Sequence, residues 1–269
     1  MGVVKIRETL QKLLNGEISI NECENILKAD NIRELDELVK FDINREDRTG
    51  FPEAVLSDGK DYEDLLIIAK NYFKLINDNS KSSLLFTRLS KKRFEALNQD
   101  LTDLKEKGFN LDYNAKAKIL RINNYPVEEK INPNYGKIGI VTAGTSDVPV
   151  AEEAKIIIQE GGCEVITSYD IGVAGIHRLF PQIAKMVEEN VNCIIVCAGM
   201  EGALPSVVAG LVDIPIIAVP TSVGYGVGKD GKTALFAMLQ SCSPGIAVVN
   251  IDNGFGAGVF ALTMAKHQK

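Results

Sequence analysis

The side chains in this 269-residue chain that are equipped for chemistry gather in short polar turns of its second half. Gly144-Thr145-Ser146-Asp147 follows an apolar run and precedes Pro149, Glu152 and Glu153. A strand, a turn of small hydroxylated residues and a helix start together make an anion cradle, because backbone N–H groups face outward there and the helix dipole favours negative charge. Ser146 and Asp147 can hold a phosphate or a ribose; the plainer reading is that Asp147 caps the helix. His177-Arg178 opens another helix after a glycine-rich turn, where a guanidinium can grip a phosphate bidentately, although a lone histidine is more often structural. Glu201 lies between Gly199 and Gly202 in AGMEG. It reads either as a surface residue or as a proton-transfer group whose pKa burial has raised. Thr221 and Ser222 in PTSVGYGVG, and Asn253 and Gly254 in NIDNGFGAG, offer close backbone approach to an extended ligand. Neither stretch is a GxGxxG dinucleotide fingerprint.

The five cysteines, Cys23, Cys163, Cys193, Cys197 and Cys242, are too few and too irregular for a disulfide scaffold or a zinc site. Two histidines, His177 and His267, exclude a His-rich metal centre, and no metal ligand is assigned. Cys193 and Cys197 sit inside CIIVC and read as small core hydrophobes. Cys242, in LQSCSPG, ends a helix, so solvent or ligand can reach it, and it is a candidate reactive thiol. It precedes a strand, however, and so lies at the opposite end of the sheet from the other turns. To join them it must come from a neighbouring subunit or reach round the sheet.

The elements that position these turns follow from periodicity. From Lys137 onward, apolar strands are predicted at 137–142, 163–168, 193–198, 215–219 and 246–250. Helical patterns fall at about 148–160, 176–190, 203–212, 231–241 and 256–266. This alternation implies a doubly wound parallel α/β sheet, whose ligands bind outside the carboxyl ends of the strands. Four of the five turns at that end are glycine-rich and all five carry polar groups, whereas those at the other end, EGG and DIP among them, are mostly plain.

The first half is different. Residues 1–45 read as short amphipathic helices, one with Ile6, Leu10, Leu13 and Leu14 on a face, the next turning Cys23, Ile26 and Leu27 inward. Over about 51–122 the pattern is that of a small βαβαβ-like module. It has a strand in AVLSDGK, a helix over 61–76 carrying Leu65, Ile68, Phe73 and Ile76, a strand within 82–90, a helix over 91–107 and a strand at 118–122. NNYPVEEKINPNYG (123–136) is the best linker. An N-terminal module over 1–125 is thus predicted to precede a nucleotide-binding domain over 126–269.

Hydrophobic content of 45% and charged content of 25% are ordinary for a globular protein. A net charge of −6 leaves no basic surplus for nucleic acid. MGVVKIRETLQKLL does not read as a signal peptide, and no apolar run is long enough for a membrane span. A cytoplasmic protein without a membrane partner is expected.

GTSD before a helix, IHR, the ALP-containing turn and IPIIAVP resemble the aminoimidazole ribonucleotide carboxylases and mutases of purine biosynthesis, over about residues 136–265. Those enzymes carry GSxSD, AHR and GGAAHLPG turns. Here Ala203 replaces the second histidine, and Glu201 stands two residues before it. The chain is more similar still to the carboxylase–hydrolase family that begins nickel-pincer cofactor synthesis for lactate racemase. That likeness rests on NREDRTGFPE, GTSDVPVAEEA, GIHR, AGMEGALPSVVAGL, IPIIAVPTSVGYG and SCSPGIAVVNIDNGFGAG, which reach into the N-terminal module.

The resemblance implies a flavodoxin-like, purine-carboxylase-like fold. It implies conversion of nicotinic acid adenine dinucleotide and CO2 to pyridinium-3,5-biscarboxylic acid mononucleotide and AMP. It also implies that Cys242 is the nucleophile, faced by Glu201, and that Ser146, Asp147, His177 and Arg178 grip the nucleotide. A homo-octamer with sites shared between subunits follows from it as well. No tightly bound cofactor is expected; CO2 is a co-substrate, and Mg2+ is a candidate aid to anhydride cleavage. A purine-type carboxylase or mutase, and a nucleotide-binding protein without catalysis, are the alternatives.

Overall fold

The structure, a computed structural model, describes residues 2–29, 32–35, 39–42, 45–75 and 82–267. The first half contains α1 (Gly2–Leu14), α2 (Ile20–Ala29), β1 (Ile32–Leu35), β2 (Val39–Asp42), α3 (Arg45–Thr49) and β3 (Glu53–Leu56). It continues with α4 (Tyr62–Leu75), β4 (Ser83–Thr87), α5 (Lys91–Asp100), α6 (Thr102–Glu106), β5 (Asn110–Asn114) and β6 (Ile119–Asn123). The second half alternates strictly: β7 (Lys137–Thr142), α7 (Val148–Glu160), β8 (Glu164–Ser168), α8 (Leu179–Glu188), β9 (Cys193–Ala198) and α9 (Leu204–Ala209). β10 (Ile216–Pro220), α10 (Lys232–Leu239), β11 (Ile246–Val248) and α11 (Gly254–His267) complete it.

Strands of the second half form one five-stranded sheet in the order β11-β10-β9-β7-β8, parallel throughout. This is the flavodoxin-like order. Every residue of β9 and β10 is buried, because a central parallel strand is covered on both faces. Alternate residues divide between the faces. Ile138, Ile140, Ile195, Cys197 and Val219 pack under α7 and α11, while Val141, Ile194, Val196 and Ala218 pack under α8, α9 and α10. Cys193 and Cys197 are core residues, as expected, and burial pushes the Cys193 thiol up to about 12.

A second, four-stranded sheet has the order β3-β4-β6-β5. β3 runs parallel to β4, whereas β4–β6 and β6–β5 are antiparallel. The βαβαβ expectation therefore lacked β5. Only Leu111 and Tyr113 of that edge strand are large and apolar, too weak an alternation to read. In β4 and β6, Leu84, Phe86, Leu120 and Ile122 face a core shared with α4 and α5, while Leu85 and Ile119 face the opposite way. That opposite face lies on α7 and α11, so helices, sheet, helices, sheet and helices stack in that order.

Three other expectations need correcting. Residues 1–45 are not all helical: β1 and β2 pair antiparallel. Leu10 and Leu14 are exposed while Thr9 and Cys23 are buried, so the expected apolar face of α1 is not a core face within the chain. The single helix over 91–107 breaks at Leu101 (φ −105°, ψ 31°) into α5 and α6. The side chains of Ile6 and Leu27, and Ile76 altogether, lie outside the described residues.

The two halves are joined by buried charge as well as apolar contact. Glu160 at the end of α7 is fully buried; it accepts from Arg121 of β6 at 3.2 Å, from Lys130 at 3.4 Å and from the Tyr125 hydroxyl at 3.3 Å. Residues 45–53 also dock. Arg45 pairs with Glu53 at 3.2 Å and lies over the Phe51 ring, which meets Phe255 of α11 edge-on at 5.4 Å. Lys266 donates to the Gly50 carbonyl at 2.8 Å. No helix among the described residues is long and apolar enough to cross a membrane.

Candidate active site

Strand order reverses between β7 and β9, so the loops leaving their carboxyl ends diverge and open a crevice. There a cavity of about 260 Å³ is lined from the β7 turn by Gly144, Ser146 and Asp147, and from the β9 turn by Gly199 and Glu201. Apolar side chains the sequence reading did not single out, Val173, Met200, Leu204 and Val223, complete it. Ala203 is also in the lining. Glu201 is exposed at this cavity, where its carboxylate can exchange a proton with a ring seated against the apolar wall.

Asp147 has a largely internal task. Its carboxylate is buried, accepting from the Gly144 N–H at 2.8 Å, the Thr221 hydroxyl at 2.6 Å and the Gly199 N–H. Burial raises its pKa, and these three bonds only partly oppose the rise. One carboxylate thereby ties the turns after β7, β9 and β10 together. Gly199 has to be glycine for the same crossing, because a Cβ there would come within 2.1 Å of the Val223 carbonyl oxygen.

Ser146 and Val223 also line a second, adjoining cavity of about 550 Å³. Its other walls come from Ser222, Glu153 and Asp252 of the second half and from Asp58, Arg88, Lys116 and Lys118 of the first. Burial pushes the Glu153 carboxyl up to about 7, against N–H bonds from Phe255 and Gly254 and the nearby Arg88 charge. The sequence carried no signal for this cavity, since its cations lie in turns of a different sheet.

The remaining candidates are placed elsewhere. Thr145 is exposed beside the first cavity without lining it, Gly202 packs against Ala234 of α10, and Thr221 is buried behind Asp147. His177 is exposed, and Arg178 pairs with Asp170 at 2.9 Å in a half-exposed contact; neither lines the cavity. Asn253 caps α11, accepting from the Gly256 N–H at 2.8 Å. Gly254 is packed so closely on α7 that a Cβ would stand 2.1 Å from the Val150 carbonyl oxygen. Neither reaches either cavity.

Cys242 is exposed in the loop before β11, at the amino ends of the strands. Its neighbours pin that loop to α9: Ser243 donates to the Ser206 carbonyl at 2.9 Å, and the Ser206 and Ser241 hydroxyls bond at 2.8 Å. Within one chain Cys242 and Glu201 do not share a cavity. Among the described residues no group of three His, Cys, Asp or Glu side chains forms a metal site.

Comparison with known proteins follows the division of the fold. Residues 137–269 match the AIR carboxylase family, and residues 32–124 match the LarB/PurE-like N-terminal domain. An uncharacterised protein of Methanocaldococcus jannaschii is 51% identical over 97% of both chains. The N5-carboxyaminoimidazole ribonucleotide mutase of the same organism is 36% identical over 46% of this chain and 76% of its own. That of Thermotoga maritima is 31% identical over 48% and 74%. A LarB-type N-terminal domain joined to an AIR carboxylase domain is the LarB architecture, and the chain belongs to the LarB family.

Proposed function

We propose that the protein is the carboxylase–hydrolase that converts nicotinic acid adenine dinucleotide and CO2 to pyridinium-3,5-biscarboxylic acid mononucleotide and AMP, the first step of nickel-pincer nucleotide synthesis. A carboxylase/mutase-related function is supported by both domains. The observation that carries the finer reading is a purine-carboxylase cleft holding Glu201 and Ala203 where a histidine would serve the purine reaction.

The chemistry requires a nucleophile. C5 of a pyridinium ring is electron-poor and does not attack CO2 unaided. Addition of the Cys242 thiolate to the adjoining ring carbon breaks the aromaticity and leaves an enamine, nucleophilic at C5. C5 then forms the bond to CO2. Glu201 takes the C5 proton, the electron pair expels the thiolate, and aromaticity returns. Water cleaves the phosphoanhydride and releases AMP; Mg2+ entering with the substrate phosphates would neutralise charge there.

In this reading Cys242 reaches a cleft in a neighbouring subunit. Phe236 and Leu239 of α10, just before it, are exposed at 65% and 63%, an apolar face suited to another copy of the chain. A homo-octamer with shared sites is part of the proposal.

The test is mass spectrometry after incubation with the dinucleotide, bicarbonate and Mg2+, beside Cys242→Ala. Dicarboxylated mononucleotide and AMP from wild type alone are expected. The second reading, a purine-type carboxylase or mutase, is favoured by the mutase relatives; carboxylation of aminoimidazole ribonucleotide instead would establish it.

A further inference from the structure

The cavity at the switch point, about 260 Å³, is below the roughly 300–1,000 Å³ usual for a drug-sized ligand. It has room for a pyridine ring and its ribose phosphate, not for a dinucleotide. The adjoining cavity of about 550 Å³ supplies the missing volume. Ser146 and Val223 border both, so a ligand running from one to the other passes its middle over the Ser146 hydroxyl.

The three cations on the second cavity share one origin. Arg88, Lys116 and Lys118 come from the N-terminal module, are exposed, and among the described residues form no ion pair. Arg88 and Lys118 both hold left-handed backbone at φ 53°, a conformation costing about 1–2 kcal/mol in a side-chain-bearing residue. The Leu89 N–H donates to the Lys118 carbonyl at 2.8 Å, which holds the two turns side by side. Glycine would relieve this strain; two long cations stand there instead. Across the cavity the Asp252 carboxylate accepts from the Ser222 N–H at 2.8 Å, and with Asp58 it can accept from sugar hydroxyls.

We propose that this second cavity is the subsite for the adenylate half of the substrate, with Arg88, Lys116 and Lys118 holding its phosphate and the scissile anhydride lying over Ser146. The proposal rests on the dinucleotide reading above. It gives the N-terminal module a task that the mutases, matching about half of this chain and named for a single ribonucleotide, do not have.

Calorimetric titration with AMP and, separately, with nicotinic acid mononucleotide tests it on wild type, Lys116→Gln and Arg88→Gln/Lys118→Gln. AMP affinity falls about tenfold or more in the variants, as for a lost charge-assisted phosphate contact, while mononucleotide affinity is unchanged. Equal AMP affinity in wild type and Lys116→Gln, or wild type that does not bind AMP, overturns the subsite. Lys116 is exposed on ordinary backbone, so its variant decides the matter if the double variant loses both ligands through misfolding. The titration needs no turnover: a wild type that binds AMP through these cations yet leaves the dinucleotide unreacted would overturn the proposed reaction and keep the subsite.

Discussion

Asp147 and Thr221 meet beneath the cleft at 2.6 Å, and their pairing holds the geometry of three turns. Thr221→Val removes one donor to a buried carboxylate. It is expected to cost about 1–3 kcal/mol, read as a lower urea midpoint with unchanged slope. Glu153 adds a pH dependence. Its folded pKa of about 7 lies above the ordinary 4.5, so the unfolded chain releases this proton first as pH rises. Its contribution to stability is therefore full below pH 4.5 and lost by about pH 7, an effect of about 3 kcal/mol. Glu153→Gln should flatten that part of the stability profile and be more stable than wild type at pH 8; a profile identical to wild type would show that Glu153 does not titrate there.

At the scale of elements, the pairing of α7 with α11 sets the floor of the molecule between the two sheets. Apart from Leu262, the buried stripe of α11 is Gly254, Ala257, Gly258, Ala261 and Ala265, small enough for the helix to lie close on Ala151 and Ala154 of α7. Gly254→Ala must displace the Val150 carbonyl and is expected to destabilise by about 1–3 kcal/mol, lowering Tm by several degrees. A ligand-contact role would instead leave Tm intact and raise KM, so melting and kinetics on one variant separate the two roles.

The whole molecule depends on how its halves meet and on what covers its apolar edge. Glu160→Ala removes the buried carboxylate that the half-buried Arg121 and Lys130 share, leaving them only Asp112 and Glu46. Losing these charge-assisted bonds is expected to cost about 1.5–3 kcal/mol, and limited proteolysis should then cut the 123–136 segment faster than in wild type. At the other edge, Phe236→Asp/Leu239→Asp should dissociate the proposed homo-octamer in light scattering and abolish the proposed carboxylation with Cys242 and Glu201 intact. Wild type that is monomeric and active would sink the shared-site proposal.

The parallel sheet was legible in the sequence because its cause is local. Buried central strands such as CIIVCA are continuously apolar, and the turns between them are mostly glycine-rich and polar at one end and plain at the other. The break at Leu101 and the thinly patterned edge strand β5 were not legible, since long-range packing outweighed local periodicity there. For the site, the sequence by itself determined which turns share the carboxyl ends of the strands, because alternation of strand and helix leaves no other arrangement. Only the tertiary structure decided what each turn residue does. Asp147 braces, Asn253 caps and Gly254 packs, roles set by neighbours distant in sequence: Thr221, Gly199 and Val150. Only the packing of one sheet across α7 and α11 could place Arg88 and Lys118 beside Ser146, because a contact between separate sheets leaves no periodic trace in either.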